Sequence, residues 1–164
     1  MNLKRLTTDA LLTALALIIF IIEVQIPPIV PIPGIKLGLS NVVTLTAVYL
    51  LGKKDAGIIL LLRIILGSLF AGSFSSFIFS FSGAVFCYIT MCIFSNLLKE
   101  QIWVVGVLSA ISHNIGQIIA AMFVMQSLSV LWYLPYLLIA SVITGSFTGI
   151  LSNLLYKKIN LHKN

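Results

Sequence analysis

The chain has 164 residues, of which 60% are apolar and 9% charged, and its formal net charge is +6. With a mean hydropathy of +1.15, that balance excludes an ordinary soluble domain and predicts an all-α integral membrane protein. The length admits about six spans of roughly 20 residues with short connections and no further soluble domain, so one compact bundle of six transmembrane helices over residues 1–164 is expected.

Charges and helix breakers place the spans at about 6–22, 38–52, 56–72, 76–98, 102–125 and 131–156. The N-terminus, Lys4 and Arg5 before LLTALALIIFII, imitates a signal peptide, but no small-x-small cleavage pattern follows, and a retained first span is expected. Ala10 and Ala14, one helical turn apart, give that span a small-residue face of the kind that lets helices approach closely. The next connection, EVQIPPIVPIPGIKLGLSN, contains Pro27, Pro28, Pro31 and Pro33, which forbid regular helix. With Gly34 it is expected to lie extended on the outer surface, either as a stiff spacer or as a gating loop over a cavity. Lys36 and Asn41 then enter the second span from outside.

The third span carries Arg63 inside AGIILLLRIILGSLFAG. A cation in the hydrocarbon region is costly, so it faces a bundle interior or polar cavity and marks a binding site unless it serves structure alone. Ile64–Leu98 lacks Asp, Glu, Lys and Arg, and its 35 residues are too long for one span; Gly72 and Ser73 supply the turn. Cys87 and Cys92 are five apart on one helix, an offset of roughly 140° that argues against a disulfide or metal pair. In SAISHNIGQIIAA of the fifth span, Ser109, His113 and Gln117 share one face, and Asn114 lies about 100° around the helix, toward a neighbour. After a turn near Gln126–Ser129, the sixth span aligns Ser141, Gly145, Gly149 and Asn153, a ridge for packing inside the bundle or for docking a partner.

Six crossings put both termini on one side. With that side cytoplasmic, eight of the ten Lys and Arg residues fall in cytoplasmic segments, leaving Lys36 outside and Arg63 within the membrane. The basic residues are dispersed between spans, so membrane orientation explains the net charge and nucleic acid is excluded as a partner. No G-x-x-x-x-G-K-[ST] loop is present, so the chain does not hydrolyse ATP by that route. Asp9, Glu23, Asp55 and Glu100 are scattered, which leaves no carboxylate pair for acid–base work or Mg²⁺–diphosphate binding, and no intramembrane carboxylate for ion coupling is expected. No metal site or cofactor is expected, and the chain is not expected to be catalytic by itself. The candidate ligand set is Arg63, His113, Gln117, Asn41, Lys36 and Asn114, whose positive charge and donors favour an anionic or carbonyl-rich small molecule. The competing reading pairs Arg63 with Glu23 or helix-end carbonyls and makes the amides and His113 interhelical glue. Phe74, Phe77, Trp132 and Tyr133 read as an interfacial aromatic belt.

Four segments in order, PGIKLGLSNVVTLTAVYLLG, LLRIILGSLFAGSF, SHNIGQ and YLPYLLIASVITGSFTGIL, resemble the Gx transporter family, also known as heptaprenyl diphosphate synthase component I, over about residues 6–156. That family resembles the substrate-binding S components of energy-coupling factor (ECF) transporters. The resemblance implies a multi-pass protein of the bacterial cytoplasmic membrane that captures a vitamin-like or precursor molecule from the extracytoplasmic side. It further implies a membrane coupling subunit and two ATPases as partners, gating by the first outer loop, Pro27–Lys36, and docking through Ala10 and Ala14. The family's other name implies an accessory membrane subunit beside a soluble prenyl diphosphate synthase. This chain lacks the D-D-x-x-D motif of prenyl synthases, so prenyl transfer would reside in that partner.

Overall fold

The computed structural model describes residues 3–26, 36–72 and 74–161. These form six α-helices: α1 (Leu3–Gln25), α2 (Asn41–Leu50), α3 (Lys53–Ala71), α4 (Phe74–Leu97), α5 (Ile102–Met125) and α6 (Leu134–Leu161), with a 3₁₀ helix, Leu128–Tyr133, before α6. Four helical stretches, Arg5–Gln25, Phe74–Leu97, Ile102–Met125 and Leu128–Ile159, are long and apolar enough to cross a membrane. Their outward faces carry large exposed apolar side chains such as Leu11, Ile89, Phe123 and Ile143. Lipid, not water, is the solvent that suits such a surface.

The second span departs from expectation. Helix α2 has ten residues, about 15 Å of helix, roughly half of the hydrocarbon thickness. Asn41 to Val48 are all buried, and α2 packs against α1, α3, α4, α5 and α6. It is the axis of the bundle. Positive-φ glycines let the chain turn tightly on both sides of it, Gly38 (φ 78°) before and Gly52 (φ 96°) after. Gly72, in the left-handed region, closes α3 where the uncharged stretch was expected to fold back.

The most extensive packing joins α4 to α5 and α5 to α6. At the second of these, glycine is obligatory: a Cβ on Gly106 would stand 2.5 Å from Gly149 Cα, and one on Gly149 2.6 Å from Trp103 Cα. The small-residue ridge of α6 therefore packs within the bundle. Apolar clusters occupy both halves of the interior, one around Leu45, Ile59, Met91 and Val105, the other around Phe79, Ile118, Ala121 and Leu137. Along α5 the buried residues between these clusters include the polar Ser109, His113, Asn114 and Gln117.

Candidate functional site

Helix α1 turns Thr13, Ala16, Phe20 and Glu23 inward at helical spacing. Because α1 continues to Gln25, beyond the predicted boundary at 22, Glu23 lies inside a span, which corrects the expectation that no carboxylate does. Its carboxylate accepts from the Gly38 N–H and, at 3.5 Å, from the Ser40 N–H. Those amides lead into the N-terminus of α2, where negative charge is favoured.

Arg63 reaches the same turn from α3 and is only 3% exposed. It donates through Nη1 to Ser40 Oγ and through Nη2 to Asn41 Oδ1 at 3.3 Å. Ser40 thus stands between the two charges, and no direct Glu23–Arg63 ion pair exists among the described residues. Arg63 Nε is buried without a hydrogen-bond partner among the described residues.

Lys36 is fastened from three directions. Its ammonium donates to Ser76 Oγ on α4 at 2.8 Å and lies 4.0 Å over the Phe20 ring on α1. Gln117 on α5, with its amide orientation assigned from its neighbours, accepts from the Lys36 N–H at 3.2 Å and donates to the Lys36 carbonyl at 3.0 Å. Burial pushes the Lys36 ammonium down to about 8, against the opposing pull of Glu23 and helped by the charge of Arg63.

The His113 ring fits between two glycines. A Cβ on Gly38 would stand 3.1 Å from its Cδ2, and one on Gly83 of α4 2.8 Å from its Cε1. His113 Nδ1 lies on the Gly83 side, buried and without a hydrogen bond of good geometry. Asn114 turns away to α6, donating to the Leu137 carbonyl at 3.1 Å and to Ser141 Oγ at 2.7 Å. Its Oδ1 accepts from the remaining Gln117 amide hydrogen at 3.1 Å.

Five of the six candidates, Arg63, Asn41, Lys36, His113 and Gln117, therefore meet around residues 36–41, and Asn114 is linked to them through Gln117. Their duties differ. The amides of Gln117 and Asn114 hold the protein to itself, whereas Arg63 and His113 keep unfilled hydrogen-bonding positions. With Arg63 and Lys36 set against Glu23 alone, the cluster carries an excess of one positive charge when Lys36 is protonated and suits an anion.

Ala10 and Ala14 are exposed on α1. Pro27, Pro28, Pro31, Pro33 and Gly34, expected to form the gating loop, lie outside the described residues. Cys87 is buried, Cys92 is half-buried and both are free, and no His, Cys, Asp and Glu grouping suited to a metal ion exists among the described residues. Ser40, Ser76, Gly38 and Gly83 were not singled out by sequence. Only Gly38 left a trace, lying in KLGLSN between two candidates.

A family model described as heptaprenyl diphosphate synthase component I matches residues 12–155. No curated protein matches the chain, and no solved structure does.

Proposed function

The chain belongs to the family described as heptaprenyl diphosphate synthase component I, and from that premise we propose that it is a membrane-embedded binding subunit for a small anionic molecule, working as the S component of an ECF-type uptake transporter. One observation carries this reading: among the described residues, a buried arginine in an apolar bundle makes no direct ion pair and keeps an unfilled donor beside a second cation. A purely structural arginine would be expected to have its donors satisfied by the protein.

In this reading the ligand is vitamin-like or a biosynthetic precursor, and it enters from the extracytoplasmic side past Lys36. Both termini lie in the cytoplasm of a bacterial cell, as the distribution of basic residues favours. The subunit is not catalytic; a membrane coupling subunit and two ATPases drive release. Ala10 and Ala14 support the partner contact, because they are small and exposed on α1, away from the ligand cluster.

The test is retention of small molecules by protein purified in mild detergent from its native membranes, with mass spectrometry of everything that accompanies it. Arg63→Ala is expected to weaken ligand binding by about 30-fold or more while the helical content stays unchanged, as truncating a buried charge partner does. Unchanged retention would show the arginine to be structural. The family description also supports a second reading, an accessory subunit of a polyprenyl diphosphate synthase. Co-purification of a soluble prenyl synthase in place of ATPases would favour it.

A further inference from the structure

One turn deeper than the Arg63 layer the interior is still polar. Thr44 on α2, Cys87 on α4 and Ser109 on α5 are each no more than 2% exposed. Their depth follows from helix geometry. Ser40 and Thr44 are four residues apart, so Thr44 lies on the face whose hydroxyl meets Arg63, about 6 Å further along the axis. Gly83 and Cys87 on α4, and His113 and Ser109 on α5, stand in the same relation. Below this layer Leu45, Ile59, Met91 and Val105 close the interior with apolar side chains.

Arg63 Nε, His113 Nδ1 and Thr44 Oγ1, on three different helices, are all buried without a hydrogen-bond partner of good geometry among the described residues. Each such group bears an unrecovered desolvation cost when nothing satisfies it. Three of them between the Lys36 layer and the apolar floor call for a polar guest.

We infer that Arg63, Thr44 and His113 form an inner carboxylate subsite, and that the ligand is a small monocarboxylate bound with its acid group innermost. This deepens the binding-subunit reading and rests on it. Arg63 Nε–H and the Thr44 hydroxyl donate to the carboxylate oxygens, and His113 Nδ1, carrying the imidazole proton, donates a third bond. The single negative charge matches the excess of one cation left by Arg63 and Lys36 over Glu23. A diphosphate, with at least two negative charges, does not match it. No further cationic residue is buried below Arg63 among the described residues, so a second polar group on the ligand lies outward, toward Lys36.

The probes are acetate and benzoate, with acetamide and benzamide as neutral counterparts of the same shape, titrated into the purified protein at constant ionic strength. The readout is the unfolding midpoint. The acids are expected to raise it with dose and the amides to leave it unchanged. Thr44→Val, which keeps the shape and removes the hydroxyl, should weaken acid binding about tenfold, the loss of one charge-assisted hydrogen bond, and Thr44→Ser should restore it. Acid binding equal in Thr44→Val and the parent would overturn the subsite while leaving the Arg63-dependent reading intact. Equal stabilisation by acids and amides would also overturn it, as the mark of a neutral guest. If neither acid binds and the ligand retained from native membranes lacks a carboxylate, both the subsite and its ligand class fall.

Discussion

Lys36 lies between an aromatic ring and a hydroxyl with much of its water removed, and a strongly hydrated ammonium resists that. Its folded pKa of about 8 lies below the ordinary 10.5. The charged form therefore burdens the fold below pH 8, and the burden is relieved as the pH rises toward 10.5. The free protein is expected to gain stability across that window. Anion affinity runs the other way, falling by up to about tenfold per pH unit above 8 as the ammonium is lost. Thermal unfolding and ligand titration between pH 7 and 10 check both slopes, and Lys36→Met should flatten them. At this scale Arg63 was legible in the sequence because a charge in an uncharged run needs a partner or a purpose. Gly83 and Ser40 were not, because one acts by leaving room for His113 and the other by standing between two charges, and neither role marks the local sequence.

The helices differ in how tightly their sequence constrains them. At the α5–α6 contact, backbone meets backbone at Gly106, Gly145 and Gly149, and a larger residue forces the helices apart. Gly149→Val is expected to destabilise the protein by about 2 kcal/mol or more, read as a lowered unfolding midpoint in detergent. Gly72→Ala, where nothing stands within 4 Å but φ is +60°, should cost about 1 kcal/mol of backbone strain alone. The helix boundaries of α4 and α5 were readable because long apolar runs ended by charges or turn residues have one economical fold in a membrane. Helix α2 was misjudged in length. Its apolar run continues through Leu51, but hydropathy reports burial and does not distinguish a helix from the extended approach at residues 36–38.

Across the whole molecule, the candidate cluster and the exposed Ala10 and Ala14 of α1 lie at different places. Glu23 ties the C-terminal end of α1 to the turn before α2, and Arg5 ties its N-terminal end to Asp55 of α3 at 2.5 Å. Ala10→Trp or Ala14→Trp is expected to spare ligand binding and to abolish co-purification of a membrane coupling subunit and ATPases. Persistence of the complex in both variants would remove α1 as the docking face. The Arg5–Asp55 tie is half-exposed on the arginine side, so solvent screens it and its loss should leave these outcomes interpretable.

Composition, hydropathy and helical spacing by themselves determined the class of protein, the inward face of α5 and the candidacy of Arg63, because each is a property of a short stretch of chain. Only the tertiary structure decided that Ser40 separates Arg63 from Glu23, that His113 fits between Gly38 and Gly83, and that Gln117 holds the backbone of Lys36, 81 positions away. Those relations depend on the rotation and depth of one helix against another. In a bilayer many helix faces are nearly equally apolar, so close packing and the few buried polar groups select among the arrangements.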